Sequence, residues 1–188
     1  DAGRCDGTER PAEIGCGAGW FTFELEKAVR PRGMVYALDT QPAMLQILRS
    51  RRENWERILT LPCGENSFEL DDEEVDAVFH ANVLHECRDA EAHLAEVWRV
   101  LKPGGKVGIV DLLLHDRDDF RRQMGQKSLG FSLEQTRLAM SAAGLDSVVA
   151  QGLAPEANVK GPALFAAWGD ACRAYASDGR RGGAALGR

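Results

Sequence analysis

Three glycines at alternate positions, Gly15, Gly17 and Gly19, separate a short apolar segment from a helical pattern near the start of the chain. The segment before them, residues 12–16, is predicted to be a strand. From Trp20 onward, apolar residues recur at helical spacing, at Phe21, Leu25, Ala28 and Val29. Glycine at a strand-to-helix turn lets a ligand approach the backbone, and the following helix presents unpaired N–H groups. The pattern therefore predicts a ligand site on an α/β fold.

Strand and helix patterns alternate along most of the chain. Amphipathic patterns predict one helix that buries Met44, Leu45, Ile47 and Leu48, another that Asp89 caps, and a third that Ser132 opens and Gly144 ends. Pro103-Gly104-Gly105 reads as a tight turn. This alternation predicts a doubly wound α/β fold with a mostly parallel sheet and a C-terminal antiparallel hairpin. The further predicted strands are residues 34–38, 58–61, 75–81, 106–111, 147–150 and 163–168.

Ligands of such sheets bind at the carboxyl ends of the strands, near the point where the strand order reverses. Asp39 closes the second predicted strand, 20 residues beyond Gly19. A carboxylate at this place can accept hydrogen bonds from both hydroxyls of a ribose, which suits any adenosyl ligand. Gly64, Asn82 and Asp111 also follow or close predicted strands, so the same rule directs attention to them.

A dinucleotide site and a phosphate-binding Walker loop are the two alternative readings of the glycines. The third glycine stands one position too early for G-x-G-x-x-G, and Trp20 occupies a position where a dinucleotide site favours a small residue. Glu13 also suits a ligand with a cationic amino group better than a diphosphate. No G-K-S/T sequence follows the glycines, which excludes the Walker loop.

Length and charge limit the classes of partner. A chain of 188 residues suits one domain, here predicted over residues 1–175, with a disordered tail over residues 176–188 that is rich in glycine and arginine. The formal net charge of −6 disfavours a nucleic-acid substrate. No apolar stretch is long enough for membrane insertion, and no secretory signal is visible. The chain opens without methionine, so it can be a trimmed piece, and the sequence does not indicate an oligomeric state.

The five cysteines show no C-x-x-C spacing and are odd in number. We expect reduced thiols in a cytoplasmic protein. A soft-metal site could be assembled from Cys63, Cys87, His80 and His85, but these residues lack a recognisable ligand spacing. Small buried cysteines are the favoured reading, and no metal is predicted.

Four ordered segments resemble the motifs of class I S-adenosylmethionine-dependent methyltransferases, and more narrowly those of the small-molecule group that includes ubiquinone and menaquinone biosynthesis enzymes. The resemblance covers roughly residues 12–150 and implies a Rossmann-like methyltransferase fold with S-adenosyl-L-methionine as cofactor. The segments are Glu13–Gly19, Tyr36–Leu45, Val75–Val83 and Leu101–Lys106.

The resemblance also implies a role for individual residues at the cofactor. The backbone of Gly15, Cys16, Gly17 and Gly19 would lie against the methionine part and the ribose, with Asp39 on the ribose. Where the family often has an Asp-Ala pair at the adenine amino group, this chain has Cys63-Gly64-Glu65-Asn66, and the register could place either Gly64 or Glu65 there. Glu65 is favoured, although an exposed loop carboxylate is an equally good reading. The remaining implied contacts are Thr40 and Met44 beside the adenine and Ala81 and Asn82 near the methionine end.

The chemistry of such an enzyme consists mainly of aligning the acceptor with the methyl group and excluding water. His85, just past the fourth strand, is the candidate general base. Asp111 could orient the substrate or cap a turn, whereas His80 and His93 are read as structural. Residues 115–131 could select the substrate or form a solvated helix face.

Few residues precede the glycines, so an N-terminal lid is predicted to be short or lost. The sequence thus predicts a methyltransferase with a small-molecule acceptor. A non-catalytic cofactor-binding module of the same fold is the alternative, and a nicotinamide-dependent oxidoreductase is a weaker one.

Overall fold

One sheet of seven strands forms the centre of the computed structural model, which describes residues 7–51, 56–119, 122, 126–154 and 161–172. In chain order, the described elements are β1 (Pro11–Ile14), α1 (Thr22–Ala28), β2 (Val35–Asp39), α2 (Pro42–Ser50), β3 (Ile58–Pro62), β4 (Val75–Ala81), α3 (Ala90–Val100), β5 (Leu101–Leu112), α4 (Leu133–Ala142), β6 (Asp146–Gly152) and β7 (Leu164–Asp170). A 3₁₀ turn, Leu84–Glu86, lies between β4 and α3.

The strand order is β3-β2-β1-β4-β5-β7-β6, in which β1 to β5 run parallel and β7 pairs antiparallel with both β5 and β6. This confirms the predicted fold class, including the C-terminal antiparallel hairpin. The chain crosses from one half of the sheet to the other between β3 and β4, so β1 and β4 are neighbours. The loops that follow these two strands diverge and leave a cleft between them.

Two apolar clusters hold the layers together. The larger one packs α3 and α4 against one face of the sheet, and the smaller one packs α2 against the other face, where Leu45 and Leu48 meet Val35 and Ala37. The predicted helix caps are confirmed. Asp89 accepts a hydrogen bond from the Ala92 amide at 2.9 Å, and Ser132 forms a capping box with Gln135.

The predicted buried faces of the first two helices are partly wrong. On α1 the buried residues are Thr22 and Glu26, whereas Phe21 and Ala28 are exposed. Phe21 precedes the helix and packs edge to face on Phe79, with ring centroids 5.2 Å apart. In α2, Ile47 is exposed. Apolar spacing identified the helices correctly, but α1 turns a polar stripe inward because it has a carboxylate of β1 to satisfy.

The predicted tight turn at Pro103–Gly105 is part of β5 instead. Val75 of β4 pairs with Leu101, and the next paired residue, Ala77, faces Lys106. The intervening residues bulge out of the ladder, and Gly104 takes up the bend with φ +78°. The strand therefore starts directly after α3.

Some expectations fall outside the described residues, namely the tail at 176–188 and Arg121. None of the described helices is both long and apolar enough to cross a bilayer. The four described cysteines, Cys16, Cys63, Cys87 and Cys172, form no disulfide.

Candidate functional site

A cleft of about 390 Å³ opens at the carboxyl ends of β1 to β4, where the strand order predicts a ligand site. Six of the predicted cofactor residues line it: Gly15, Asp39, Thr40, Gly64, Glu65 and Asn82. The other six, which are Glu13, Cys16, Gly17, Gly19, Met44 and Ala81, are not part of its lining.

Gly15 and Gly19 have conformations that other residues rarely adopt, with φ values of +71° and +89°. A Cβ on Gly15 would lie 2.4 Å from Val83 Cγ2, and a Cβ on Gly19 would lie 2.4 Å from Leu48 Cδ1. The structure thus requires a small residue at position 19. Trp20 is 78% exposed, so the steric argument that sequence analysis attached to Trp20 is wrong.

Asp39 connects the glycine loop to the end of β2. Its Oδ2 accepts the Gly17 amide at 2.8 Å, and its Oδ1 accepts the Gln41 amide at 2.8 Å. The carboxylate is buried, yet it reaches the cleft. Because a carboxylate can accept about four hydrogen bonds, each oxygen keeps a free lone pair for a further donor.

Glu13 lies beneath the loop and not in the cleft wall. It is 3% exposed and accepts a short hydrogen bond from the Thr22 hydroxyl, so it joins β1 to α1. Burial raises the pKa of Glu13 to about 7; the Thr22 hydrogen bond opposes this shift and the nearby Asp39 carboxylate adds to it. Glu13 is therefore half ionised near neutral pH.

Glu65 has protein partners already. Its Oε1 accepts the backbone amides of Arg88 and Asp89, and its Oε2 lies 3.3 Å from Arg88 Nε. The hydrogen bond from the Arg88 amide is the largest of several causes that lower the pKa of Glu65. Through these contacts Glu65 fixes the turn before α3 at the rim of the cleft.

Asn82 stands where β4 ends, with φ +58°, and its amide donates to the Val110 carbonyl at 2.8 Å. Asparagine tolerates this left-handed conformation better than most residues. Of the residues that follow this turn, Val83 and Glu86 line the cleft. The wall also contains residues that were not predicted to contact the cofactor. Cys63 directly follows β3, so the strand-end rule could have found it. The full set of these residues is Ile14, Gln41, Cys63, Val83, Glu86, Cys87, Arg88 and His93.

His85 and Asp111 form a buried pair beside the cleft. His85 Nδ1 lies 2.6 Å from Asp111 Oδ1, and the two side chains are 5% and 0% exposed. Asp111 also accepts the amides of Leu84 and Leu112, each at 2.7 Å. Burial favours a higher pKa for Asp111, but the hydrogen bond and charge of His85 outweigh it, and the net pKa is lowered. Asp111 thus orients His85 and also caps the 3₁₀ turn.

His80 and His93 meet edge to face beneath the cleft, with ring centroids 5.4 Å apart. His93 Nδ1 lies 2.6 Å from the Glu65 carbonyl. Burial, followed by the proximity of His93, lowers the pKa of His80 to about 3. Within the part of the chain that the structure describes, no three His, Cys, Asp or Glu side chains are grouped so as to hold a metal ion.

Comparison with known proteins identifies a family. Residues 12–109 match the family described as methyltransferase domain. The chain is 35% identical over 102 residues to a demethylmenaquinone methyltransferase of Lactobacillus johnsonii, covering 53% of this chain and 42% of the relative. It is 36% identical over 101 residues to a malonyl-[acyl-carrier protein] O-methyltransferase of Serratia marcescens, covering 53% and 36%. The chain therefore spans less than half the length of these curated relatives.

A solved structure agrees with this result. The S-adenosylmethionine-dependent methyltransferase of Aquifex aeolicus superposes with a TM-score of 0.72 at 26% identity, covering 89% of this chain and 84% of that one. The class I fold that the sequence predicted is therefore confirmed at the level of family and architecture.

Proposed function

Because the chain belongs to the family of methyltransferase domains, we propose that it transfers a methyl group from S-adenosyl-L-methionine to a small-molecule acceptor. The observation that carries the proposal is Asp39. Its buried carboxylate lies in the cleft, and its Oδ2 accepts the Gly17 amide of the glycine loop at 2.8 Å. A ribose hydroxyl pair would complete the hydrogen bonding of this carboxylate.

The residues of the cleft fit this cofactor. Gly15 lines the cleft, and its lack of a side chain lets a ligand approach its backbone. Asp39 and Glu65 in the wall, with Glu13 below, make the site acidic, and an acidic site favours a ligand with a cationic sulfonium and ammonium group. In this proposal Thr40 flanks the adenine, and Asn82 lies near the methionine end.

The other residues predicted at the cofactor do not line the cleft, so in this proposal they act indirectly or not at all. Cys16 and Gly19 would act by shaping the loop, and Gly17 by orienting Asp39. Met44 and Ala81 are not among the residues that line the cleft. For the adenine amino group, Gly64 and Glu65 both stay candidates, but the Glu65 carboxylate would have to share its oxygens with Arg88.

A small acceptor is supported by two observations. The matched relatives include a protein named demethylmenaquinone methyltransferase, and the net charge of −6 disfavours a polyanionic substrate. Accordingly, we propose neither a nucleic-acid partner nor insertion into a membrane.

Isothermal calorimetry tests the proposal with S-adenosylmethionine, S-adenosylhomocysteine and NAD, followed by transfer of a radiolabelled methyl group to a panel of small acceptors. We expect both adenosyl ligands to bind and NAD not to bind. Asp39→Ala should weaken binding about tenfold or more, because ribose hydroxyls lose their acceptor. Asp146→Ala on the exposed edge strand is the matched control.

Preferential binding of NAD would overturn the proposal. Cofactor binding without transfer to any acceptor would instead favour a non-catalytic binding module. Unchanged affinity in Asp39→Ala would remove Asp39 from the ribose site.

A further inference from the structure

We propose that His93 is a positioning residue for the base of the cofactor. By donating to the Glu65 carbonyl, it fixes the loop of residues 63–66 at the cleft and thereby sets the preference for adenine over other bases. The inference rests on the proposed binding of S-adenosyl-L-methionine. It goes further by assigning a role in specificity to a side chain that sequence analysis read as structural.

The loop of residues 63–66 forms one side of the cleft. Cys63, Gly64 and Glu65 line the cleft, and so do residues 39–41, which follow from the end of β2. The two segments are neighbours, because the Cys63 amide donates to the Asp39 carbonyl at 3.2 Å. Since the base of the cofactor is attached to the ribose, we expect a ribose on Asp39 to bring the base against this loop.

His93 holds the loop by its backbone. Nδ1 of the ring lies 2.6 Å from the Glu65 carbonyl oxygen, and because a carbonyl only accepts, Nδ1 carries the hydrogen. Burial is the largest cause of the lowered pKa of His93, so the ring is neutral near neutral pH and Nε2 is bare. Nε2 has no hydrogen-bond partner among the described residues, so the ring acts on the loop through Nδ1.

The imidazole is itself fixed by its neighbours. It is 1% exposed and contacts the rings of Phe68 and His80 edge to face, with centroids 5.5 Å and 5.4 Å away. The next residue of α3, Leu94, is part of the larger apolar cluster. A donor on a packed helix has little freedom to move, so the carbonyl that it binds has little freedom either.

Glu65 is held at its side chain as well as at its backbone. Its carboxylate accepts the amides of Arg88 and Asp89, which directly precede α3. His93 lies in α3 itself, so both attachments come from the start of one helix. The loop therefore keeps a fixed position relative to α3.

The edge of the base decides what a fixed loop selects. The Gly64 amide already donates to the Ser67 carbonyl at 2.8 Å, so Gly64 can offer a ligand only its carbonyl oxygen, and Glu65 offers a carboxylate. Both candidates for the contact are thus acceptors. Adenine presents an amino donor there, whereas hypoxanthine presents a carbonyl oxygen. Two facing acceptors weaken binding only if the loop cannot move away, and His93 supplies that restraint.

Two substitutions separate the donor of His93 from its ring. His93→Phe keeps an aromatic ring against Phe68 and His80 but has no N–H for Glu65. His93→Asn keeps an N–H close to the position of Nδ1 but has no ring. Glu96→Ala is the matched control, because Glu96 lies one turn further along α3 and accepts the Phe68 amide at 2.7 Å, outside the lining of the cleft.

Calorimetry with S-adenosylhomocysteine and S-inosylhomocysteine, which carries hypoxanthine in place of adenine, measures the preference as a ratio of dissociation constants. For the unmodified protein we expect a ratio of about ten or more in favour of the adenine compound. His93→Phe should reduce the ratio at least about threefold, whereas His93→Asn and Glu96→Ala should keep it within about twofold. A purely structural role would weaken both ligands equally and leave the ratio unchanged.

Nitrogen NMR of the histidine-labelled, unmodified protein supplies a check that needs no variant. At pH 8 we expect His93 to carry its proton on Nδ1. A proton on Nε2 instead would overturn the proposal, because Nδ1 could not then donate to Glu65.

The ratios distinguish failure of this inference from failure of the proposed function. An unchanged ratio in His93→Phe, an equal fall in Glu96→Ala, or a ratio near one in the unmodified protein would overturn the role of His93 while leaving the cofactor assignment intact. If the unmodified protein binds neither compound, the proposed function and this inference fail together.

Discussion

His80 contacts His93 edge to face in the interior, and both ring nitrogens of His80 lack a hydrogen-bond partner among the described residues. Burial, then the neighbouring His93, lowers the pKa of His80 from an ordinary value of 6.5 to about 3. In the unfolded chain His80 is therefore protonated below about pH 6.5, whereas in the folded protein it is protonated only near pH 3. Stability is lost as the pH falls through this window.

Urea unfolding at pH 7.5 and pH 5.0 measures this loss. For one such histidine we expect the free energy of unfolding to drop by about 2 kcal/mol between the two values. His80→Leu, which has similar volume, should remove about that much of the pH dependence. His115→Gln should keep it. If His80→Leu and the parent protein lose equal stability, His80 is not the titrating group.

A side chain at position 15 would both clash with Val83 and have an unfavourable positive φ. The two losses of stability can be measured separately. A Cβ at Gly15 meets Val83 Cγ2 at 2.4 Å, whereas at Gly104, with a similarly positive φ, it meets nothing within 4 Å. Gly104→Ala should therefore cost about 1 kcal/mol from backbone strain alone. Gly15→Ala should cost clearly more and weaken cofactor binding.

A double-mutant cycle supplies the check. Adding Val83→Ala to Gly15→Ala should restore part of the lost stability. The loss that remains should be close to the cost of Gly104→Ala. Strictly additive effects in thermal or urea unfolding would show that Val83 is not the obstacle.

Glu13 should couple cofactor binding to pH. Its pKa of about 7, raised by burial, makes the carboxylate neutral at pH 6 and ionised at pH 8. Since S-adenosylmethionine is cationic, its affinity should rise severalfold over this interval. Glu13→Gln can still accept the Thr22 hydrogen bond but cannot ionise, so its affinity should change less. Affinity is measured by calorimetry on both proteins, so that the titration of the ligand itself cancels in the comparison. Parallel pH profiles of affinity would contradict the coupling.

Arg51 should support the glycine loop from outside. Its guanidinium donates to the Ala18 carbonyl at 2.8 Å and lies 5.7 Å from the centre of the Phe23 ring. Arg51→Ala should weaken cofactor binding roughly two- to fivefold, because an exposed charged hydrogen bond contributes about 0.5–1 kcal/mol. The measurement is made at 0.15 M salt, where the lost charge matters little.

Arg49→Ala is the matched control for Arg51→Ala. Arg49 lies in the last turn of α2, which Arg51 follows, but its side chain donates a hydrogen bond to Thr60 Oγ1 of β3 at 2.7 Å. Its removal should affect stability and spare cofactor affinity. Equal losses of affinity in the two variants would refute a specific role for Arg51.

The fold was predictable because helices pack against both faces of the central sheet. Strands covered in this way are nearly continuous apolar runs, and 75–81 was therefore located to the residue. Boundaries that depend on bulges were not predictable. Nothing in Pro103-Gly104-Gly105 distinguishes a helix-ending turn from an irregular start of β5, since both need a glycine with positive φ.

The site was predictable in its position and less so in its side chains. Strand ends indicated Asp39, Gly64 and Asn82, which do line the cleft. The orientation of the Glu13 side chain could not be predicted from the sequence, because it depends on the hydrogen bond that the Thr22 hydroxyl of α1 donates to it. Which residues bind the cofactor, which acceptor is methylated and where in the cell the protein acts stay predictions.

The pairing of His85 with Asp111 depends on sheet register. These residues are 26 positions apart in the chain. They meet because Ala81, the last residue of β4, lies opposite Val110 of β5, so the turn after β4 lies beside Asp111, the next residue of β5. Apolar patterns predict strands but do not specify which residue of one faces which residue of the next.

The position of β7 between β5 and β6 has a consequence for biosynthesis. Among the described strands, β6 pairs only with β7, which is made after it. Neither β6 nor the outer edge of β5 therefore has its neighbour before Leu164–Asp170 has left the ribosome. Two unpaired edges are exposed during that interval, and such edges invite association with other nascent chains. A released chain that ends before residue 164 should therefore be retained by chaperones, whereas a chain that includes β7 can pair both edges.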